Sequence, residues 1–293
     1  MPQEDEYLLT ASSFTLKNEP VVSLQNAGSF VDFFPLGERF SLKFDTTQRY
    51  CIGWRDIAAG TRYACPDKNM VDAKYEECAA CQKRTGFNPA FYHATSVSEQ
   101  QEARNSEPHI LYLAHFGTGV VKVGISYAKR RNSRLLEQGA RTALILDTFP
   151  TAHIARQYEA RIAALEGMLE TVQLRKKVQL LSQPYDGQAA TNELLQLRET
   201  LGTKLNVSFQ PNMPLHLDGY YFPNGVPNLS EAYDVSKEET ISGTCTGVLG
   251  SFLFCESNGR LVYLSLKKYI GYRLLLSNEE ILLQLPAQQT SLF

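Results

Sequence analysis

Four of the six cysteines fall within one short segment: Cys51, Cys65, Cys78 and Cys81, the last two as Cys-Ala-Ala-Cys. Thiolates are zinc ligands, and two of them separated by two residues can hold one ion while the intervening amides approach the sulfurs. The N-terminal MPQEDEYLLT is acidic before its short apolar patch, and no window approaches the ~18 apolar residues of a membrane span. The chain is therefore expected to be cytoplasmic, with reduced thiols that favour a metal over disulfides. Four protein ligands leave no open coordination position, so this zinc is expected to be structural. His93 and His109 are alternative ligands for one cysteine, whereas Cys245 and Cys255 lie in apolar runs and read as core residues.

The second chemically capable stretch is His109 to Gly139, HILYLAHFGTGVVKVGISYAKRRNSRLLEQGA. Strand alternation on either side of Gly117-Thr118-Gly119 puts Leu111, Leu113, Val121, Val123 and Ile125 on a buried face and Tyr112, Lys122, Gly124 and Ser126 on the other. A three-residue loop centred on Gly117 would set Tyr112 opposite Lys122, whose ammonium would favour the phenolate. A helix from about Tyr127 to Gln138, stopped by Gly139, gathers Arg130, Arg131 and Arg134 on one flank. From Lys122 to Arg134 there are five basic residues and no acidic one, in a chain of formal net charge -2. Any polyanion site is then a local patch and not a general coat, and a solvated helix face is the plainer reading of the same run. A strand at Thr142 to Phe149 follows, then a helix capped by Thr151 with an apolar stripe at Ile154, Tyr158, Ile162, Leu165, Leu169 and Val172. Glu159 lies beside that stripe, near Arg156 and Arg161.

With these elements in this order, the stretch resembles the GIY-YIG nuclease superfamily. Tyr112 stands late in the first strand, Lys122 two residues before Gly124 in the second, Arg134 on the next helix and Glu159 on a second helix. The sequence departs from the family where Ile110 falls near the first glycine, where the second motif reads Lys122-Val123-Gly124, and in a longer spacing from Gly124 to Arg134. The resemblance implies a small mixed sheet with flanking helices and cleavage of phosphodiesters. Tyr112, with Lys122 lowering its pKa, would activate or position water, Arg134 would hold the scissile phosphate, and Glu159 would bind Mg²⁺ or Mn²⁺. Lys129, Arg130 and Arg131 would contact flanking phosphates. His115 is a spare base candidate whose strand parity points it to the other face.

The surrounding elements make an α+β chain in four parts. Residues 1–106 read as an N-terminal β region with the four-cysteine site, and 107–205 as the nuclease-like core with a helical connector. Residues 206–280 read as an irregular bridge and a small β-barrel with a hairpin turn at Asn258-Gly259, and 281–293 as a tail. Small barrels often bind nucleic acid, which makes Lys267 and Lys268 candidate contacts by analogy. The order of the parts also resembles an uncharacterised bacterial family. The last residues, Gln289-Thr290-Ser291-Leu292-Phe293, resemble the bacterial sliding-clamp binding motif, in which Gln289 would fix register while Leu292 and Phe293 fill a pocket. A terminal strand packing on its own barrel is the plainer reading of the tail.

The function expected from these features is a metal-dependent nuclease acting on DNA, recruited to the sliding clamp in replication or repair. The alternative is a non-catalytic, zinc-stabilised nucleic-acid-binding protein, of DNA or of RNA in translation or RNA processing.

Overall fold

Large apolar residues at every second position, such as Phe40, Leu42 and Phe44, drive the first strands. These are β1 (Asp5–Phe14), β2 (Pro20–Asn26), β3 (Ser29–Phe33) and β4 (Arg39–Asp45). The structure, a computed structural model, describes residues 5–72, 74–88 and 97–285. The cysteine segment carries a small hairpin, β5 (Trp54–Arg55) and β6 (Arg62–Tyr63), then α1 (Ala79–Thr85) and α2 (Glu99–Asn105). The middle of the chain is β7 (His109–Gly117), β8 (Val120–Tyr127), α3 (Ser133–Gln138), β9 (Thr142–Phe149), α4 (Ala152–Ala163), α5 (Leu174–Leu181) and α6 (Gly187–Leu205). It closes with β10 (Leu215–His216), α7 (Asp218–Tyr221), β11 (Tyr233–Asp234), β12 (Thr240–Leu249), β13 (Phe252–Ser257), β14 (Arg260–Ser265) and β15 (Arg273–Ser277). The class is α+β, as the sequence implies.

Strands from both ends of the chain share one sheet, ordered β11-β14-β13-β12-β4-β15-β1-β2-β3. This pairing differs from the expected split into an N-terminal β region and a separate C-terminal barrel. β15 lies between β4 and β1, with Leu274 opposite Phe44 and Leu276 opposite Leu42, so the last strand fills the core the first strands began. The expected hairpin at Asn258-Gly259 joins β13 to β14, both residues at the positive φ its turn requires.

The second sheet is ordered β10-β9-β7-β8. Leu111, Leu113, Val121 and Val123 face apolar residues of α4 and α6, as alternation predicts. The opposite face is buried too, because Ile110, Tyr112, Ala114 and Val120 join the core of the large sheet. Every residue of β7 is buried. The hairpin register also differs from expectation: a bulge between His115 and Gly117 sets Tyr112 opposite Gly124 and Lys122 opposite Ala114.

Two helices are shorter than their sequence signals. Residues 128–130 form a 3₁₀ turn and α3 begins only at Ser133, though it ends at Gly139 as expected, with φ +71°. α4 stops at Ala163, after which Gly167 (φ +82°) turns the chain back so that Leu169 pairs with the edge of β8. The Val123 amide donates to Leu169 O at 2.9 Å, which gives the edge strand a partner. Among the described residues no helix is long and apolar enough to cross a membrane.

Tyr221, fully buried, ties the bridge to the end of α3: its hydroxyl lies 2.8 Å from Ala140 O and 3.2 Å from Leu136 O. Tyr221→Phe keeps the ring and strands those carbonyls. It should lower stability by about 1–2 kcal/mol, read as a lower denaturant midpoint at unchanged slope.

Candidate metal centre and candidate active site

The chain returns Cys51, Cys65, Cys78 and Cys81 to one point, with all four sulfurs within 4.8 Å of one another. The wide gap between Cys51 and Cys65 is closed by backbone pairing, in which the Cys51 amide donates to Asn69 O at 2.8 Å. Cys78 caps α1, which puts Cys81 in the helix's first turn. The Cys78 and Gly53 amides donate to Cys51 Sγ at 3.2 and 3.4 Å, and Asn69 Nδ2 donates to Cys78 Sγ at 3.4 Å. Gly53 is required there: its φ is +93° and a Cβ would sit 2.0 Å from Tyr63 O.

Burial pushes the Cys51 thiol up to about 11 and raises Cys81 strongly. At Cys78 burial also raises the pKa, but the bonds from Asn69 and from the neighbouring amide and thiols outweigh it and bring the thiol down to about 6. Four crowded sulfurs of which one ionises readily are what a divalent cation would complete, and a tetrahedral site with Zn–S of ~2.3 Å needs sulfurs ~3.8 Å apart. Cys65 and Cys78 are already 4.0 Å apart. The cluster can hold a metal such as zinc. His109 is not part of it, since its Nδ1 meets Glu107 O at 2.8 Å, and His93 lies outside the described residues. Cys245 and Cys255 pair across β12 and β13 in the core, as expected.

Tyr112, Lys122, Arg134 and Glu159, from β7, β8, α3 and α4, come within electrostatic range of one another. Tyr112 is 1% exposed, and a Cβ on Gly124 would lie 2.5 Å from its hydroxyl, so the phenol occupies the space the glycine leaves. Burial raises its pKa and outweighs the Arg134 guanidinium, which acts by charge and hydrogen bond in the other direction. This corrects the expectation of an acidic phenol made so by Lys122. The depressed pKa belongs to Lys122 itself, brought down to about 8 by burial and then by Arg134, while Glu159 and Glu170 pull it back up. Glu159 is buried, and desolvation raises its pKa against an Arg156 bond of 2.5 Å. The other arm of Arg156 reaches Glu170 at 3.3 Å.

The basic flank is partly neutralised within the chain. Arg130 pairs with Glu137 at 2.5 Å, Arg134 approaches the same carboxylate at 3.9 Å, and Lys129 meets Glu107 at 3.1 Å. Arg131 is exposed. Lys268 bonds to Ser236 Oγ at 3.3 Å, while Lys267 is exposed and lies within electrostatic range of Lys122. His115 turns away to Glu193 and Tyr185 at 3.1 and 3.2 Å, so it serves no base role here. Arg55 of the cysteine segment lies within range of Arg130 and Glu137, which brings that segment to the border of the site.

Sequence reasoning missed Gln138 and Lys177. Lys122 Nζ donates to Gln138 Oε1 at 3.1 Å, and Lys177 Nζ donates to Gln138 O at 2.6 Å. No local signal marks Lys177, because its contact joins α5 to the end of α3 across 39 residues. Gln289, Leu292 and Phe293 lie outside the described residues.

For Mg²⁺ or Mn²⁺ the donor set near the tyrosine is thin. Among the described residues only the cysteines form a cluster of three or more ligands. Glu159, with Glu170 across Arg156, fits the mode in which one or two carboxylates hold an ion that keeps water and binds substrate phosphates, provided Arg156 releases Glu159.

Two outcomes test this geometry. Elemental analysis should find one zinc per chain, and Cys81→Ser should lose it together with thermal stability of the cysteine segment. Gly124→Ala should cost about 1–3 kcal/mol, because a methyl group there forces the buried Tyr112 ring to move. Tyr112→Phe, which removes the oxygen in the way, should recover part of that loss in the double variant.

Comparison with known proteins finds no match among curated proteins and none among solved structures. The family described as "Protein of unknown function (DUF2797)" matches residues 37–274, a span that takes in the four cysteines, the polar group around Tyr112 and Lys267. With most of its length matched, the chain belongs to that family.

Proposed function

We propose that the chain is a metal-dependent nuclease acting on DNA phosphodiesters, recruited to the bacterial sliding clamp by its C-terminal tail. One observation supports this reading above the others: Tyr112 and Lys122, on neighbouring strands, each lie within electrostatic range of both Arg134 and Glu159, which come from two different helices. Arg134, about a third exposed and only loosely paired with Glu137 at 3.9 Å, would hold the scissile phosphate. Lys122, with a pKa near the working pH, is neutral often enough to take the proton of the attacking water as its oxygen bonds to phosphorus. Tyr112 keeps its own proton and so orients that water by hydrogen bonding. Gln138 holds Lys122 in place. Glu159, released from Arg156, would hold Mg²⁺ or Mn²⁺. The ion's contribution would be charge stabilisation at the departing oxygen.

The second reading is the non-catalytic nucleic-acid-binding protein, for DNA or for RNA. The pairing of Glu159 with Arg156 and of Arg130 with Glu137 favours it, since those groups are satisfied without metal or substrate.

Labelled branched, nicked, single-stranded and duplex DNA and an RNA control, incubated in Mg²⁺ and in Mn²⁺, separate the two. The parent should cleave DNA, and Glu159→Ala should be at least ~100-fold slower. Equal cleavage by both proteins would remove Glu159 from the mechanism, and binding without cleavage in every condition would favour the second reading. For the tail, Leu292→Ala with Phe293→Ala should weaken binding to a bacterial clamp by more than ~10-fold. Unchanged binding would leave the motif a chance match.

A further inference from the structure

Lys177 has a position that the catalytic reading does not use. It rises from α5 into the crevice between the end of α3 and the β12–β13 turn, a crevice lined by Gln138, Gly139, Leu249, Gly250 and Ser251. Its ammonium lies 5.2 Å from the centroid of Phe116 and donates to Gln138 O, while Lys122 donates to the side-chain oxygen of the same residue. Two half-buried cations are thus held on the two oxygens of one glutamine. Lys267, from the 3₁₀ turn before β15, lies within electrostatic range of both. Among the described residues no carboxylate lies within ion-pair distance of Lys122 or Lys177. For Lys177, whose charged neighbours Lys122, Lys267 and Arg134 are all cations, that packing is costly unless an anion completes it.

We propose that Lys177 and Lys267, beside Lys122, form a second phosphate subsite, which takes the phosphate next to the one held by Arg134 on the same nucleic-acid strand. The inference rests on the nuclease reading for its ligand, though the subsite itself requires only binding. Burial, and then Lys122, Lys267 and Arg134, bring Lys177 down to about 8, so an anion that settles beside it also draws a proton onto it. Because Lys122 and Lys177 are held on the two oxygens of Gln138, the subsite fixes the strand's register against Lys122.

The test uses the full chain carrying Glu159→Ala, which does not cleave on this reading, and fluorescein-labelled single-stranded and duplex oligonucleotides over a salt series. Lys177→Met preserves the aliphatic stem over Phe116, and Lys267→Gln changes an exposed residue. Each should lower the slope of log affinity against log salt by about 1, and together by about 2. Lys204→Gln, exposed on α6 across the sheet, removes the same charge and should leave the slope unchanged. Thermal unfolding verifies that Lys177→Met is folded, and if it is not, Lys267→Gln alone must show its share. A double variant with the slope of Lys204→Gln, or a parent that binds neither oligonucleotide, overturns the subsite. Cleavage by the chain with Glu159 intact, alongside an unchanged slope, would remove the subsite and keep the nuclease. A reduced slope without cleavage would keep the subsite and remove the nuclease.

Discussion

The missing side chain of Gly124 sets the geometry of the site. The bulge at the tip of the hairpin moves the register so that Tyr112 lies across from Gly124, and the phenol oxygen fills the space where a Cβ would be. That contact turns the tyrosine inward to a core shared by both sheets. Desolvation is the largest influence on four ionisable groups there: it raises Tyr112 and Glu159 and lowers Lys122 and Lys177. Opposite charges moderate the shift at Lys122 and Glu159, and the Arg134 guanidinium moderates it at Tyr112, whereas the cations around Lys177 add to it.

Burial of that depth needs the large sheet, and the large sheet needs both ends of the chain. β15 inserts between β4 and β1, and the core that takes in Ile110, Tyr112 and Ala114 of β7 also takes in Phe40, Leu42 and Phe44 of β4 and Leu274 of β15. Lys267, on the 3₁₀ turn before β15, lies within electrostatic range of Lys122 and Lys177. The cysteine cluster, placed between β4 and β7, anchors the segment whose Arg55 borders the basic turn. The cysteine segment and the polar group around Tyr112 are thus neighbours, joined at Arg55.

Much of this was legible in local sequence. Four cysteines with one tight pair, the alternation of the hairpin, the glycine that ends α3, the Thr151 cap of α4 and the Asn-Gly turn are signals whose cause lies within a few residues. What the sequence withheld depends on contacts distant along the chain. The turn at Thr118-Gly119, which sets Gly117 opposite Val120, and the bulge beside it make Gly124 and not Lys122 the partner of Tyr112, and neither leaves a mark in an alternating run. The second buried face of β7 comes from partners distant along the chain, such as Leu180 of α5 against Gly117, and so the phenol's pKa could not be given the right sign. The helical stripe through Leu169 continued past the true end of α4 because Leu169 and Val172 are apolar for another reason, which is to pair with β8 and to fill the core. Lys177 carries no motif at all.

The central claim is that a buried lysine, and not the tyrosine, accepts the proton in phosphodiester cleavage. The most direct test is the rate of DNA cleavage against pH for the parent and for Lys122→Arg, at saturating Mn²⁺. A general base must be neutral, so the parent's rate should climb as pH rises toward about 8, the value to which burial lowers Lys122, and then level off. Lys122→Arg stays protonated throughout and should lose both that limb and most of the rate. A parent whose rate is independent of pH across that range, or an arginine variant that keeps the limb, would contradict the account.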